Sequence, residues 1–204
     1  MNGQVGNLDQ ALYYALEAVK VKPDSPEAHN NLGTTFDNMA RLEEAKFCFE
    51  TVLSLAPKNM EALANLGACY SKLGDLKKAI EYYEKAISLA KRKGHKNSEV
   101  LKFFVSFDYF KSGDLKKGYQ YHEAGFHPNV PAKHGRSPRR NFKVPKWDGH
   151  RLHDKTLLIW REQGLGDELM FLSMIPDVMK DVKNIILEVD PRLVETMQRS
   201  FPNI

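Results

Sequence analysis

Asn65-Leu66-Gly67-Ala68-Cys69-Tyr70 decides how this chain is read, because Asn31-Leu32-Gly33 stands 34 residues before it and Phe36 answers Tyr70. The same step carries Ala45 onto Ala79, Phe49-Glu50 onto Tyr83-Glu84, and Ser54-Leu55 onto Ser88-Leu89. Backwards, Ala11, Ala18 and Pro23 precede Ala45, Val52 and Pro57 by that interval, so the chain begins partway through a repeat. Self-similarity at one fixed period marks a stack of equivalent units.

Each recurring residue has a physical reason. Gly33 and Gly67 on the first helix of a pair, and Ala45 and Ala79 on the second, let paired helices approach closely. Phe36, Tyr70, Phe49 and Tyr83 fill the space beside them at helical spacing. Pro23 and Pro57 end the second helix, since proline cannot continue it. Leu73-Gly74-Asp75 and Ser112-Gly113-Asp114 supply the glycine of a tight helix–helix turn. A third unit slips, because Ser112–Lys117 repeats Leu73–Lys78 at an offset of 39. The extra residues are assigned to the polar stretch Lys91–Ser98. Gly118 stands where Ala79 stood and Phe104 where Asn65 stood, as expected of the degenerate, capping end of an array.

Over roughly residues 1–125 this pattern resembles the tetratricopeptide repeat family. The resemblance implies a right-handed superhelix of helix pairs whose concave groove binds peptides or partner proteins; a purely structural solenoid is the alternative. Asn31 and Asn65 share one position and are expected to stack on the inner face. An amide side chain both donates and accepts, so such a ladder grips an extended peptide backbone without reading its sequence. It resembles the asparagine ladder of the protein O-linked N-acetylglucosamine transferases, although Phe104 breaks the third rung, and simple surface asparagines are the alternative. Asn30 occupies a position where carboxylate-clamping repeats carry lysine, so binding of chaperone tails is not expected.

Composition sets outer bounds. The 204 residues are 42% hydrophobic and 27% charged, as in an ordinary globular protein. No apolar run approaches the ~20 residues of a membrane span, and no secretory pattern follows Met1. Cys48 and Cys69 form no metal-ligand spacing and are expected to be buried free thiols, which suits a cytoplasmic location. His122, His127, His134, His150 and His153 show no tight ligand spacing. No metal and no cofactor are expected.

The net charge of +4 is uneven, since residues 126–155 carry eight Lys or Arg against two Asp. Charge of this kind does not make the whole chain a nucleic-acid binder. Residues 126–150 form a connector in which Pro128, Pro131, Pro138 and Pro145 alternate with Lys133, Arg136, Arg139, Arg140 and Lys143. Frequent proline favours extended chain, and a solvated interdomain linker is expected there, with phosphate contact as the alternative.

From residue 151 to 204 the pattern changes. Thr156-Leu157-Leu158-Ile159-Trp160 reads as a buried strand and Gln163-Gly164-Leu165-Gly166-Asp167 as a glycine-rich turn. A helix is expected over Glu168–Lys180 with Pro176 as a possible kink, then a strand over Ile185–Val189 and a helix over Arg192–Arg199. That order, β-α-β-α, opens a doubly wound α/β sheet. A dinucleotide fingerprint is disfavoured, because Leu169 replaces its third glycine and Asp167 puts negative charge where a pyrophosphate would sit.

Trp147-Asp148-Gly149, Lys155-Thr156-Leu157-Leu158, Glu162–Asp167 and Asp190-Pro191-Arg192-Leu193 together resemble bacterial repeat proteins that carry a glycosyltransferase domain. That domain is similar to the ADP-heptose:lipopolysaccharide heptosyltransferases, whose GT-B fold sets two Rossmann-like domains face to face. The resemblance implies that Asp167 is the catalytic base, that Gln163, Gly164 and Gly166 bind substrate, and that a nucleotide sugar is the donor. Asp167 as a simple helix cap is the alternative. The expectation is therefore mainly α, a tetratricopeptide solenoid followed by an incomplete α/β unit. A GT-B enzyme needs a complete sheet and a second domain, so this chain is expected to be an inactive fragment of a longer transferase. The competing reading is a non-catalytic adaptor.

Overall fold

The computed structural model describes residues 2–131, 140, 142–162 and 164–204. Lys133, Arg136, Pro138 and Arg139 of the connector, and Gln163 of the glycine-rich turn, lie outside the described residues. The chain divides into two compact units, Met1–Gly135 and Arg136–Ile204.

The first unit runs α1 (Asn2–Val21), α2 (Pro26–Asn38), α3 (Leu42–Leu55), α4 (Met60–Leu73), α5 (Leu76–Arg92), α6 (Ser98–Ser112) and α7 (Leu115–His122), followed by a 3-10 turn at Glu123–Phe126. Each helix packs on the next, as the repeat requires. Side-chain caps fix the starts of α2, α4, α5 and α7. Ser25, Asn59, Asp75 and Asp114 each accept a hydrogen bond from the backbone N–H three residues on, at 3.0–3.2 Å. A cap of this kind contributes about 1 kcal/mol. The inserted residues of the third unit lengthen α5 to Arg92 and form the loop to α6.

Gly74 and Gly113 both adopt φ +86°, the left-handed conformation that lets the first helix of a pair stop. Ala40 holds the equivalent place between α2 and α3 at φ +58°. A side chain there is strained, and left-handed alanine costs about 1 kcal/mol relative to glycine. Ala40→Gly is therefore expected to stabilise the chain by about that amount in urea denaturation. A loss of stability would show that the turn tolerates Cβ without strain.

The glycines inside the helices have a different role. A Cβ on Gly33 would lie 2.7 Å from the Phe49 ring, and one on Gly67 would lie 2.8 Å from the Tyr83 ring. Small and large residues thus interlock across each pair. In the third pair the sides exchange, for Gly118 on α7 sits under Phe110 of α6. Ala45, Phe49, Val52, Leu66, Cys69, Ala79, Ala86 and Ile87 are almost completely buried along the stack. Ala15 occupies in α1 the place that Phe49 and Tyr83 hold in α3 and α5. At the other end Phe103 is buried against Ala124 and Val130, which follow α7.

The second unit orders β1 (Leu152–Ile159), α8 (Leu165–Leu172), α9 (Ile175–Val178), β2 (Val182–Leu187), a 3-10 turn (Pro191–Leu193) and α10 (Val194–Ser200). β1 and β2 pair in parallel with Leu157 opposite Ile185 and Ile159 opposite Leu187. The pairing is irregular between Leu152 and Thr156. Leu172, Ile175 and Leu193 pack with Ile159, Ile185 and Leu187 on one face of the sheet. The single helix expected over Glu168–Lys180 is in fact two, broken at Ser173-Met174, and Pro176 starts the second where its missing N–H costs nothing.

Candidate functional site

The first helices of successive pairs, α2, α4 and α6, are joined directly by polar side chains. Asn30 Nδ2 donates to Glu61 Oε1 at 2.9 Å, and Asn65 Nδ2 donates to Asn30 Oδ1 at 3.2 Å. Lys72 Nζ donates to Asp37 at 2.6 Å, and Ser71 Oγ donates to Asp108 Oδ1 at 2.5 Å. Asn65 is thus half-buried and bonded to Asn30, while Asn31 is exposed and its amide makes no hydrogen bond among the described residues. Sequence reasoning singled out Asn31 and Asn65 and gave Asn30 no part in a ladder. No repeat signal could have found it, since Ala64 takes the equivalent place. Phe104, on the third rung, is 36% exposed.

Two carboxylates in this unit show how context divides like groups. Asp108 is buried, and burial pushes its carboxyl above the usual range against the opposing hydrogen bond from Ser71 and the charge of Lys111. Burial pushes Glu84 up as well, but donors from Tyr109 (2.6 Å), Lys117 (3.1 Å) and Tyr121 (3.3 Å) outweigh it and hold the carboxyl below its ordinary value. Glu84 therefore ties α5 to α6 and α7 as an anion. Cys48 and Cys69 are both buried, and burial pushes each thiol up to about 11. They are packing residues, poor in thiolate.

In the second unit the polar groups gather where the two parallel strands end. Gly164 is the N-cap of α8 and supplies no side-chain hydrogen bond. Asp167 lies in the first helical turn, exposed, with no hydrogen bond among the described residues. Gly164 and Gly166 beside it are exposed too. Glu168 points the other way, and its Oε1 accepts from the backbone N–H of Asp190 at 2.5 Å. Asp190, buried just beyond β2, pairs with Arg192 at 2.8 Å and Arg161 at 3.1 Å. The Arg192 hydrogen bonds hold its carboxyl well below the usual range.

Directly after β1 and β2 stand Trp160 and Glu188. Arg140 donates through both Nη atoms to the two carboxylate oxygens of Glu188, and its guanidinium lies 5.4 Å from the centre of the Trp160 ring system. Phe142 packs on the same indole at 5.6 Å. Hydrogen bonding to Arg140 holds the Glu188 carboxyl below its ordinary value. Among the described residues no group of three His, Cys, Asp or Glu side chains is placed to hold a metal ion, and no helix is long and apolar enough to cross a membrane.

Comparison with known proteins agrees with the first unit. Residues 26–59 and 61–92 each match a tetratricopeptide repeat family model. The protein FlbA of Caulobacter vibrioides is 40% identical over 68 residues, which is 31% of this chain and 11% of FlbA. The matched part thus spans about a tenth of that curated relative. A crystal structure of MamA superposes with TM-score 0.53 at 20% identity over 59% of this chain and 68% of its own. MamA 41-end from Desulfovibrio magneticus RS-1 gives 0.52 at 21% identity over 59% and 65%. At these identities the likeness is one of fold. The chain contains tetratricopeptide repeats, and its first unit is a mainly helical solenoid.

Proposed function

We propose that the repeats are a protein-binding module whose α2–α4–α6 face holds an extended segment of a partner. The observation that carries this reading is the exposed amide of Asn31, which makes no hydrogen bond among the described residues, set on a face whose neighbouring polar groups are already satisfied by one another. A rigid face with a free donor and acceptor binds backbone at little ordering cost. The test is a photo-crosslinker placed at Asn31 and, separately, at the exposed Phe47 on α3. The Asn31 position is expected to capture a partner through one extended segment, and the Phe47 position to capture none. A peptide of that segment then loses about tenfold in affinity with Asn31→Ala, the size of one good hydrogen bond. Equal capture at both positions, or unchanged affinity, sinks the reading.

A second reading concerns the other unit. Two parallel strands joined through helices, with a glycine turn at their carboxyl end, are what the opening of a Rossmann-like sheet requires. On this reading Asp167 is the base, Gly164 and Gly166 admit substrate, and a nucleotide sugar is the donor; Gln163, the other substrate-binding candidate, lies outside the described residues. The exposure of Asp167 supports that role over a cap, since the cap position belongs to Gly164.

A further inference from the structure

The loop between α5 and α6 is where the third unit departs from the repeat, and the departure is strongly basic. Lys91-Arg92-Lys93-Gly94-His95-Lys96 places four cations in six residues, and no Asp or Glu stands between Glu84 and Glu99. Both flanking carboxylates are engaged elsewhere, Glu84 by Tyr109, Lys117 and Tyr121 and Glu99 by Lys102. Lys91, Arg92, Lys93 and Lys96 are exposed and form no ion pair among the described residues. Lys91 and Arg92 suit the last turn of a helix, but Lys93 and Lys96 follow its end. The loop is braced. Gly94 turns at φ +60°, His95 N–H donates to the Ala90 carbonyl at 2.8 Å, and Asn129 Nδ2 donates to the Lys96 carbonyl at 3.1 Å. Its backbone is therefore set before any partner arrives.

The geometry points to a docking site for an acidic, extended protein segment, seated on this loop and in the hollow that Lys93 shares with the turn between α3 and α4. That hollow, about 600 Å³, is lined by Ala56, Pro57, Lys58, Asn59, Met60 and Lys93. Two cations border apolar side chains there, which matches carboxylates interspersed with apolar residues. The hollow holds no aromatic side chain on which a base could stack, and residues 91–98 carry no apolar side chain that could enter a bilayer. A second hollow, which Lys91 shares with Glu99, Lys102 and Glu123, holds both signs of charge, so the seat is assigned to the side of Lys58 and Lys93. Insertions in repeat arrays gather on loops that often serve binding. This inference rests on the α5–α6 loop and not on Asn31, so either reading can fail alone.

The test is fluorescence anisotropy of a labelled peptide of repeated Glu-Leu-Gly-Glu units, titrated with the whole chain at about 0.15 M salt. Lys58→Gln, Lys93→Gln and Lys96→Gln together should weaken binding about tenfold, the sum of several exposed charge contacts. Charge alone would draw the peptide to the basic connector as well, so a matched variant loses equal charge there through Lys133→Gln, Arg136→Gln and Lys143→Gln. That variant should bind within about twofold of the parent. Lys58→Arg, Lys93→Arg and Lys96→Arg together should keep the parent's affinity, which separates loss of charge from loss of fold. A peptide with serine for leucine should bind about threefold more weakly, since apolar burial in the hollow is lost. Equal losses in the two Gln variants overturn the proposal, as does an Arg variant that binds no better than its Gln counterpart. Unchanged affinity of the serine peptide, or tighter binding of oligothymidine or phosphatidylserine vesicles than of the acidic peptide, overturns it too.

Discussion

Gly67→Ala is expected to lower the stability of the first unit by about 2–3 kcal/mol, the usual cost of an overpacked core. The added Cβ would lie 2.8 Å from Tyr83 Cδ2 and 2.9 Å from its Cγ. Cγ is the root of the ring, so no rotation about the ring axis clears it. Nor can the side chain retreat, because Tyr83 is 6% exposed among Leu63, Ile87, Leu101 and Val105. The helices α4 and α5 must separate instead, which opens contacts on both sides of the pair. Urea denaturation should show the loss directly, and thermal melting should fall by about 10 °C. A variant as stable as the parent would mean that the close approach of these helices is not what glycine is for.

If this unit serves in sugar transfer as proposed, Asp167→Asn is expected to reduce that transfer about 10³-fold, within the range of a lost general base. The change keeps size and hydrogen-bonding shape while removing the group that can take a proton from an attacking hydroxyl. Because Asp167 is exposed and makes no hydrogen bond among the described residues, its substitution should leave circular dichroism and melting unaltered. Glycosyl-transfer rates over a range of nucleotide sugars are the readout. Activity within tenfold of the parent would leave Asp167 without the role proposed for it.

Much of the first unit was legible because its information is local and repeated. Gly33 with Phe49, and Gly67 with Tyr83, are small-to-large pairs that one register shift reveals and that the structure places in contact. Features that occur once stayed hidden. Ala40 breaks the glycine pattern of the turns, and nothing in its identity announces a left-handed backbone. The bond from Asn65 to Asn30 crosses two helices and has no equivalent in the third pair. In the second unit β1 begins at Leu152, earlier than the apolar run from Thr156, because its polar first half pairs at an irregular register. The ion pair of Arg140 and Glu188 spans 48 residues, and no sequence spacing encodes a partner so remote. The candidate sites divide in the same way, for residue types were readable and their mutual contacts were not.

The contacts of Phe49 on Gly33 and of Tyr83 on Gly67 have a consequence for how the array comes apart. Each ring locks the two helices of one pair, whereas α2, α4 and α6 are bridged from pair to pair by side-chain hydrogen bonds that water can replace. A stack held by nearest-neighbour contacts yields first at its weaker joints. Fraying therefore proceeds by whole pairs, and a pair that leaves the stack carries its own interlock with it.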